Sequence, residues 1–260
     1  MDVLTPRNLD EALRLKAERP DAVPIQGGTD VMVELNFDRA RPGALLNLNE
    51  VAELRGWRRT NGQLFLGAGL TYSEAMEAEL ADALPALAEA SRTVGGPQIR
   101  NRGTIGGNLG TASPAGDALP PLLVGRADVE VASIRGRRVV PLHEFVLGPK
   151  HNALADDELI VGVSTEVSKG RETFMKVGPR NAMVISVVSL ALRVDGELCA
   201  AFGSAGPVPM MVSGDLGEAD SFPDKVAEAA SPIDDVRGTV SYRRHALRVL
   251  TKRALERCLA

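Results

Sequence analysis

The 260-residue chain reads as an α+β protein. Three features predict this class. Helical periodicity with matched N-caps recurs through the first part, interleaved with short strand-like runs. Asp195-Gly196 sits between two apolar runs and is a two-residue hairpin signal, so the later part carries antiparallel pairing. The pattern also changes near residue 165. Before it, helices and strands surround two glycine-rich loops; after it comes a small antiparallel sheet followed by helices, with no internal repeat.

Taken in order, Asn8 and Glu11 have capping-box spacing ahead of Leu9, Ala12, Leu13 and Leu15, which predicts a helix to about Glu18, ended by Pro20. Residues 23–26 are strand-like, and 31–35 begin a second helix. Strands follow at 44–49 and 63–68. Thr71 and Glu74 form another capping box, predicting a helix through Leu80. A further helix over 82–94 carries Leu84, Leu87, Ala88 and Ser91 on one face, and Gly95-Gly96-Pro97 stops it. Strand patterns recur at 128–133, 138–141, 158–164, 173–177, 183–193 and 198–203. Pro207 and Pro209 break the pattern, and a Gly/Asp-rich segment runs to Phe222. Helical character returns from about Asp224. The last helix, over 241–259, has an apolar stripe of Leu247, Leu250, Ala254, Leu255 and Cys258.

Composition removes several function classes. With 44% hydrophobic and 25% charged residues the chain is an ordinary globular protein. Its net charge is −4, and its basic clusters (55–59, 135–138 and 243–253) lack interleaved aromatics, so nucleic acid is not an expected partner. No apolar run approaches the ~20 residues of a transmembrane segment. The opening MDVLTPRNLDEAL is polar rather than signal-like, which makes a cytoplasmic protein the expectation.

The densest chemistry lies in residues 104–123. Gly103, Gly106, Gly107 and Gly110 are interspersed with Thr104, Asn108, Thr111 and Ser113, and a Pro-Ala-Gly-Asp turn ends at Asp117. Glycine lets a backbone approach a ligand closely. No Lys or Arg stands between Thr104 and Val124, so an anion such as a diphosphate would be held through backbone N–H groups. The competing reading is a turn-rich connection. Gly27-Gly28-Thr29-Asp30, between a strand and a helix start, is a second candidate cradle; it is neither a Walker loop nor G-x-G-x-x-G. Asp117 either accepts hydrogen bonds from a ribose or loop N–H groups, or caps a helix starting at Ala118. Lys176 and Arg180 flank Gly178-Pro179 at a strand end. There a cation could neutralise a phosphate or an electron-rich ring, or the two form a surface pair.

Side-chain catalysis finds no support. His143, His151 and His245 stand apart from other ligand-type residues, and no nucleophile elbow is present. Cys199 and Cys258 are distant and sit in apolar patterns, as buried hydrophobes do, so this chain supplies no metal ligands. Two neutral glycine-rich loops without acid–base machinery point to a bound redox cofactor that carries its own chemistry.

Gly27-Gly28-Thr29-Asp30, the run from Thr104-Ile105-Gly106-Gly107-Asn108 to Ser113-Pro114-Ala115-Gly116-Asp117, and Lys176 to Met183 together resemble one family, the FAD-binding medium subunits of molybdenum hydroxylases, the carbon monoxide dehydrogenase and xanthine dehydrogenase group. Residues 231–238 (SPIDDVRG) and Tyr242-Arg243-Arg244 match its C-terminal signature, so the resemblance spans nearly the whole chain. It implies a two-subdomain FAD-binding fold of the vanillyl-alcohol oxidase type over 1–165, split into 1–55 and 56–165. A small C-terminal α/β domain over 166–260 would hold a three-stranded antiparallel sheet with helices. It implies that Ile25, Gln26, Gly27, Gly28, Thr29, Asp30 and Val31 wrap the FAD diphosphate as a first loop. Gly103, Thr104, Gly106, Gly107, Asn108, Gly110, Thr111, Ser113 and Asp117 would form the second, and Ile160 and Lys176 would approach the flavin or its tail.

The activity so implied is electron transfer. Substrate is oxidised at a molybdenum cofactor on a large molybdopterin-binding subunit, electrons cross 2Fe-2S clusters on a small subunit, and they reach FAD on this chain before leaving for an external acceptor. A dimer of heterotrimers is the implied assembly. A stand-alone flavin oxidoreductase of the same fold, or a non-redox subunit that has lost flavin, are the alternatives. Two positions depart from the family pattern: Gln26 stands where a small residue is usual, and the segment 210–230 is short.

Overall fold

The computed structural model describes residues 1–60 and 62–260. The chain opens with strand β1 (Asp2–Leu4), helix α1 (Leu9–Glu18), β2 (Val23–Ile25), α2 (Val31–Asn36) and β3 (Ala44–Asn47). Asn8 Oδ1 accepts the Glu11 N–H at 2.9 Å and Glu11 Oε2 accepts the Arg7 N–H at 2.8 Å, so the first capping box forms as its spacing dictates. The strands make a parallel sheet in the order β1-β3-β2. Pro24, which cannot donate, sits on the edge strand where that costs nothing.

The second unit contains β4 (Trp57–Thr60), β5 (Gln63–Gly67), α3 (Ala78–Ala83), α4 (Pro85–Thr93), α5 (Pro97–Arg100), α6 (Ile105–Thr111), α7 (Leu119–Val124), β6 (Asp128–Ser133) and β7 (Gly136–Pro141). Then come α8 (Leu142–Phe145), β8 (Val146–Gly148), β9 (His151–Asn152) and β10 (Leu159–Glu166). Its sheet is antiparallel, in the order β4-β5-β10-β6-β7. The β10–β6 register shifts between Ile160 and Gly162. A bulge of this kind bends the strand and re-aims side chains, and Ile160 lies on the cleft described below.

The remainder is a meander of four antiparallel strands, β11 (Arg171–Val177), β12 (Val188–Val194), β13 (Leu198–Gly203) and β14 (Met210–Gly214), with α9 (Phe222–Ala229) and α10 (Val240–Leu259) packed on it. Gly196 turns the β12–β13 hairpin at φ +74°. The sheet is covered on both faces. Leu190, Leu192, Ala200 and Phe202 join the core under α9 and α10, while Phe174, Ala191, Cys199 and Ala201 join the core of the preceding unit. Burial on both faces explains why β12 reads as a continuous apolar run rather than an alternating one.

Several expectations need correction. The sheet has four strands rather than three: β14 begins directly after Pro209, and its weak alternation belongs to a half-exposed edge strand. The helix expected over 82–94 is interrupted: Asp82 and Ala83 end α3 and α4 begins at Pro85, because Leu84 precedes a proline and leaves the helical region (ψ 66°). The Thr71/Glu74 box forms, but it caps a single 3-10 turn, Glu74–Met76, before the chain extends at Glu77. The apolar run at 183–193 becomes strand only from Val188; Met183 has φ +50° and Ile185 is exposed. Among the described residues no helix is long and apolar enough to cross a membrane.

Candidate functional site

A cleft of about 680 Å³ lies between the β2–α2 loop and helix α6, floored by β10. All the residues selected from the sequence line it except Lys176: Ile25, Gln26, Gly27, Gly28, Thr29, Asp30 and Val31 on one wall, and Gly103, Thr104, Gly106, Gly107, Asn108, Gly110, Thr111, Ser113 and Asp117 with Ile160 on the other. The two glycine loops touch each other. A Cβ on Gly27 would stand 2.1 Å from the Arg102 carbonyl oxygen, so only glycine permits this approach. Arg102 Nη2 fastens the contact by donating to the Gln26 carbonyl (3.0 Å) and to Asn49 Oδ1 (3.2 Å). The Gln26 side chain turns against Gly69, whose missing Cβ makes room for it.

The two loops contribute different things. In the second, every N–H at the start of α6 is already used: Ile105 donates to the Leu70 carbonyl, Gly106 to that of Ala68, Gly107 to Thr104 Oγ1 (2.9 Å) and Asn108 to the Thr104 carbonyl. The N–H groups that open α6 are thus engaged within the fold. In the first loop, the N–H groups of Gly27, Gly28, Thr29 and Asp30 have no partner among the described residues. Four successive free donors ahead of α2, with Gly28 at φ +74°, make a nest for an anion.

The second loop instead supplies bare surface. Gly106 packs its Cα side on Ala68, where a Cβ would come within 2.6 Å. Gly110 faces the cleft, its nearest neighbour Ile160 Cδ1 at 3.7 Å from a notional Cβ, and Gly107 meets only Thr104 Oγ1 at 3.0 Å. Ser113 Oγ accepts the Ala115 N–H and starts the turn into Asp117. Asp117 does not cap α7, whose N-cap is Ala118. It is buried, and its Oδ2 accepts from Lys176 Nζ at 2.5 Å; Lys176 also donates to the Thr93 carbonyl at 3.2 Å. Burial pushes the Asp117 carboxyl upward against the pull of Lys176. Lys176 is therefore no surface partner of Arg180, which is exposed and donates to the carbonyls of Ala182 and Met183. Asp117 Oδ1 and Asn108 Oδ1 are buried acceptors with no partner among the described residues, as fits a site that receives donors such as sugar hydroxyls.

Other lining residues carry no signal in the sequence. Tyr72, the second residue of a capping box, has its ring under Gly103 and is 5% exposed. Burial and the nearby Asp117 and Asp30 push its phenol upward. At the lip Thr111 Oγ1 donates to Asp30 Oδ2 (3.2 Å) and Lys150 Nζ to Glu34 Oε1 (2.9 Å). The three histidines are exposed, and none of them lines this cleft. Both cysteines are buried with thiols pushed upward, Cys258 to about 11.

A volume within the range of about 300–1,000 Å³ typical of cofactor sites, one anion nest, bare glycines and unpaired acceptors define a dinucleotide cleft. Residues 1–165 match the family model of the FAD binding domain in molybdopterin dehydrogenase, and the chain belongs to that family. It is 31% identical over 274 residues to the xanthine dehydrogenase FAD-binding subunit of Escherichia coli O157:H7, covering 97% of this chain and 94% of the relative. It is 33% identical to the nicotinate dehydrogenase FAD-subunit of Eubacterium barkeri, covering 75% and 69%. In fold it is similar to reconstituted CO dehydrogenase from Oligotropha carboxidovorans, with a TM-score of 0.93 over 99% of this chain and 97% of that one at 23% identity.

Proposed function

We propose that the cleft holds FAD and that the chain is the flavoprotein subunit of a molybdenum hydroxylase, passing electrons from the 2Fe-2S clusters of a small subunit to an external acceptor. A large molybdopterin-binding subunit completes the heterotrimer, two heterotrimers form the assembly, and the complex works in the cytoplasm. The single observation that carries this reading is the set of free N–H groups at Gly27, Gly28, Thr29 and Asp30, opening into a cleft whose opposite wall is glycine. Bound FAD supplies the redox chemistry. The chain's own residues bind and orient it. The first loop receives the diphosphate, and Gly107 and Gly110 let the ligand lie against α6. Asn108 and Asp117 accept from hydroxyls, and Ile160 packs on the apolar part. Lys176 acts through Asp117, holding that carboxylate in place. We further assign residues 1–165 to a vanillyl-alcohol oxidase type FAD-binding domain of two subdomains, and 166–260 to a C-terminal domain.

Heating the purified assembly tests the proposal. The expected result is release of one fluorescent flavin per chain, identified as FAD, together with molybdenum and iron in the same preparation. A properly assembled complex that yields no flavin rejects it, and a flavin-loaded chain purified without metal-containing partners favours a stand-alone oxidoreductase.

A further inference from the structure

The cleft lining is acidic for a site that takes a diphosphate. Asp117 and Glu158 have cationic partners of their own, Lys176 and Arg138. Asp30 and Glu34 remain, one helical turn apart at the lip and so on the same face. Among the described residues Lys150 is the one basic side chain that lines the cleft. Its backbone is fixed, at φ 59°, with its N–H on the Ala112 carbonyl at 3.1 Å. Its side chain is 69% exposed, and the ammonium is 2.9 Å from Glu34 Oε1. An exposed lysine on a long aliphatic stem, held at its backbone, can serve more than one acceptor.

We propose that Lys150 is the counter-ion of the FAD diphosphate, and that Glu34 competes with that diphosphate for it. The inference rests on the reading that the cleft holds FAD. A diphosphate seated on the N–H groups of Gly27–Asp30 lies beside the carboxylates of Asp30, the residue ahead of α2, and Glu34 within it, which repel it. Lys150 offsets that repulsion most when it leaves Glu34, and Glu34 weakens FAD binding both by its own charge and by holding the lysine. Glu34 and Lys150 therefore act on affinity with opposite signs.

The test strips flavin from the purified complex and titrates FAD back, reading binding from quenching of flavin fluorescence. Lys150→Gln is expected to weaken FAD about fivefold, and Glu34→Gln to tighten it by a similar factor, the size of an exposed ion pair. The wild-type affinity falls from low to high salt, and that dependence is reduced in Lys150→Gln. ADP, which carries the diphosphate, competes with the same signs in the two variants, whereas adenosine is indifferent to both. If the pair were only a clasp between α2 and the β8–β9 hairpin, both variants would loosen FAD alike, and that result overturns the proposal. So does an unchanged affinity in Lys150→Gln. A wild-type complex that takes up no FAD rejects the cleft assignment itself, a separate outcome.

Discussion

Lys176 Nζ and Asp117 Oδ2 lie 2.5 Å apart with side chains 6% and 8% exposed, joining the C-terminal sheet to the turn that closes the glycine-rich segment. The pair is 59 residues apart in sequence and withdrawn from water. Removing one partner leaves the other charge buried and uncompensated. Lys176→Met and Asp117→Leu are each expected to cost about 3–5 kcal/mol, seen as a lower thermal unfolding midpoint. The double variant loses less than either single one, because no stranded charge remains. A double variant as unstable as the sum of the singles would show that the ion pair is not what couples these elements.

The glycines separate into two kinds with different outcomes. Gly27→Ala drives a Cβ into the Arg102 carbonyl, forces the two loops apart, and is expected to lose both FAD and thermal stability. Gly110→Ala meets nothing closer than Ile160 Cδ1 at 3.7 Å and sits within α6, so the flavin-free protein gains about 0.5–1 kcal/mol of stability. Its FAD affinity nonetheless falls, since the methyl occupies the ligand's side of the helix. Melting curves with and without FAD check the pair. Equal FAD affinity in Gly110→Ala and wild type would remove α6 from the binding wall.

Much of the site was legible in the sequence because it is local. A strand, two glycines and a helix start within residues 23–31 announce an anion nest without any distant information, and that nest is where the free donors are. What the second loop contributes depends on distant partners. The N–H groups of Ile105 and Gly106 are claimed by the Leu70 and Ala68 carbonyls, some 35–40 residues earlier, and composition cannot reveal that claim. The Lys176–Asp117 pair and the Lys150–Glu34 contact are long-range for the same reason. Pro85 was a local signal that outranks the helical periodicity around it, and β14 was hidden by being a short edge strand next to two prolines.

Tyr72 lines the cleft with Asp117 and Asp30, whose charges help to push its phenol upward, and among the described residues its hydroxyl has no hydrogen-bond partner. Tyr72→Phe keeps the ring under Gly103, so the flavin-free protein should unfold within about 0.5 kcal/mol of wild type. A hydroxyl that donates to the bound cofactor is worth about 0.5–1.5 kcal/mol, which predicts FAD binding weaker by about twofold to tenfold. Fluorescence titration measures it. Unchanged affinity would place the phenol among packing groups only.

Glu172 gives the protein a pH dependence of identifiable sign. It stands on β11 opposite Arg193 of β12, its Oε1 is buried without a partner among the described residues, and burial pushes its carboxyl up to about 7, with Arg193 opposing and Asp195 adding to the rise. The folded state thus holds this proton more tightly than the unfolded chain does. The stabilisation is complete below the unfolded value of 4.5 and is lost as pH rises through about 7. At about 1.4 kcal/mol per unit the span amounts to roughly 3–4 kcal/mol. Glu172→Gln keeps a neutral group of the same shape and removes the titration. Wild type should therefore lose stability relative to Glu172→Gln between about pH 5 and pH 7, whereas parallel thermal midpoints for the two proteins over that interval would show that Glu172 is already ionised in the fold.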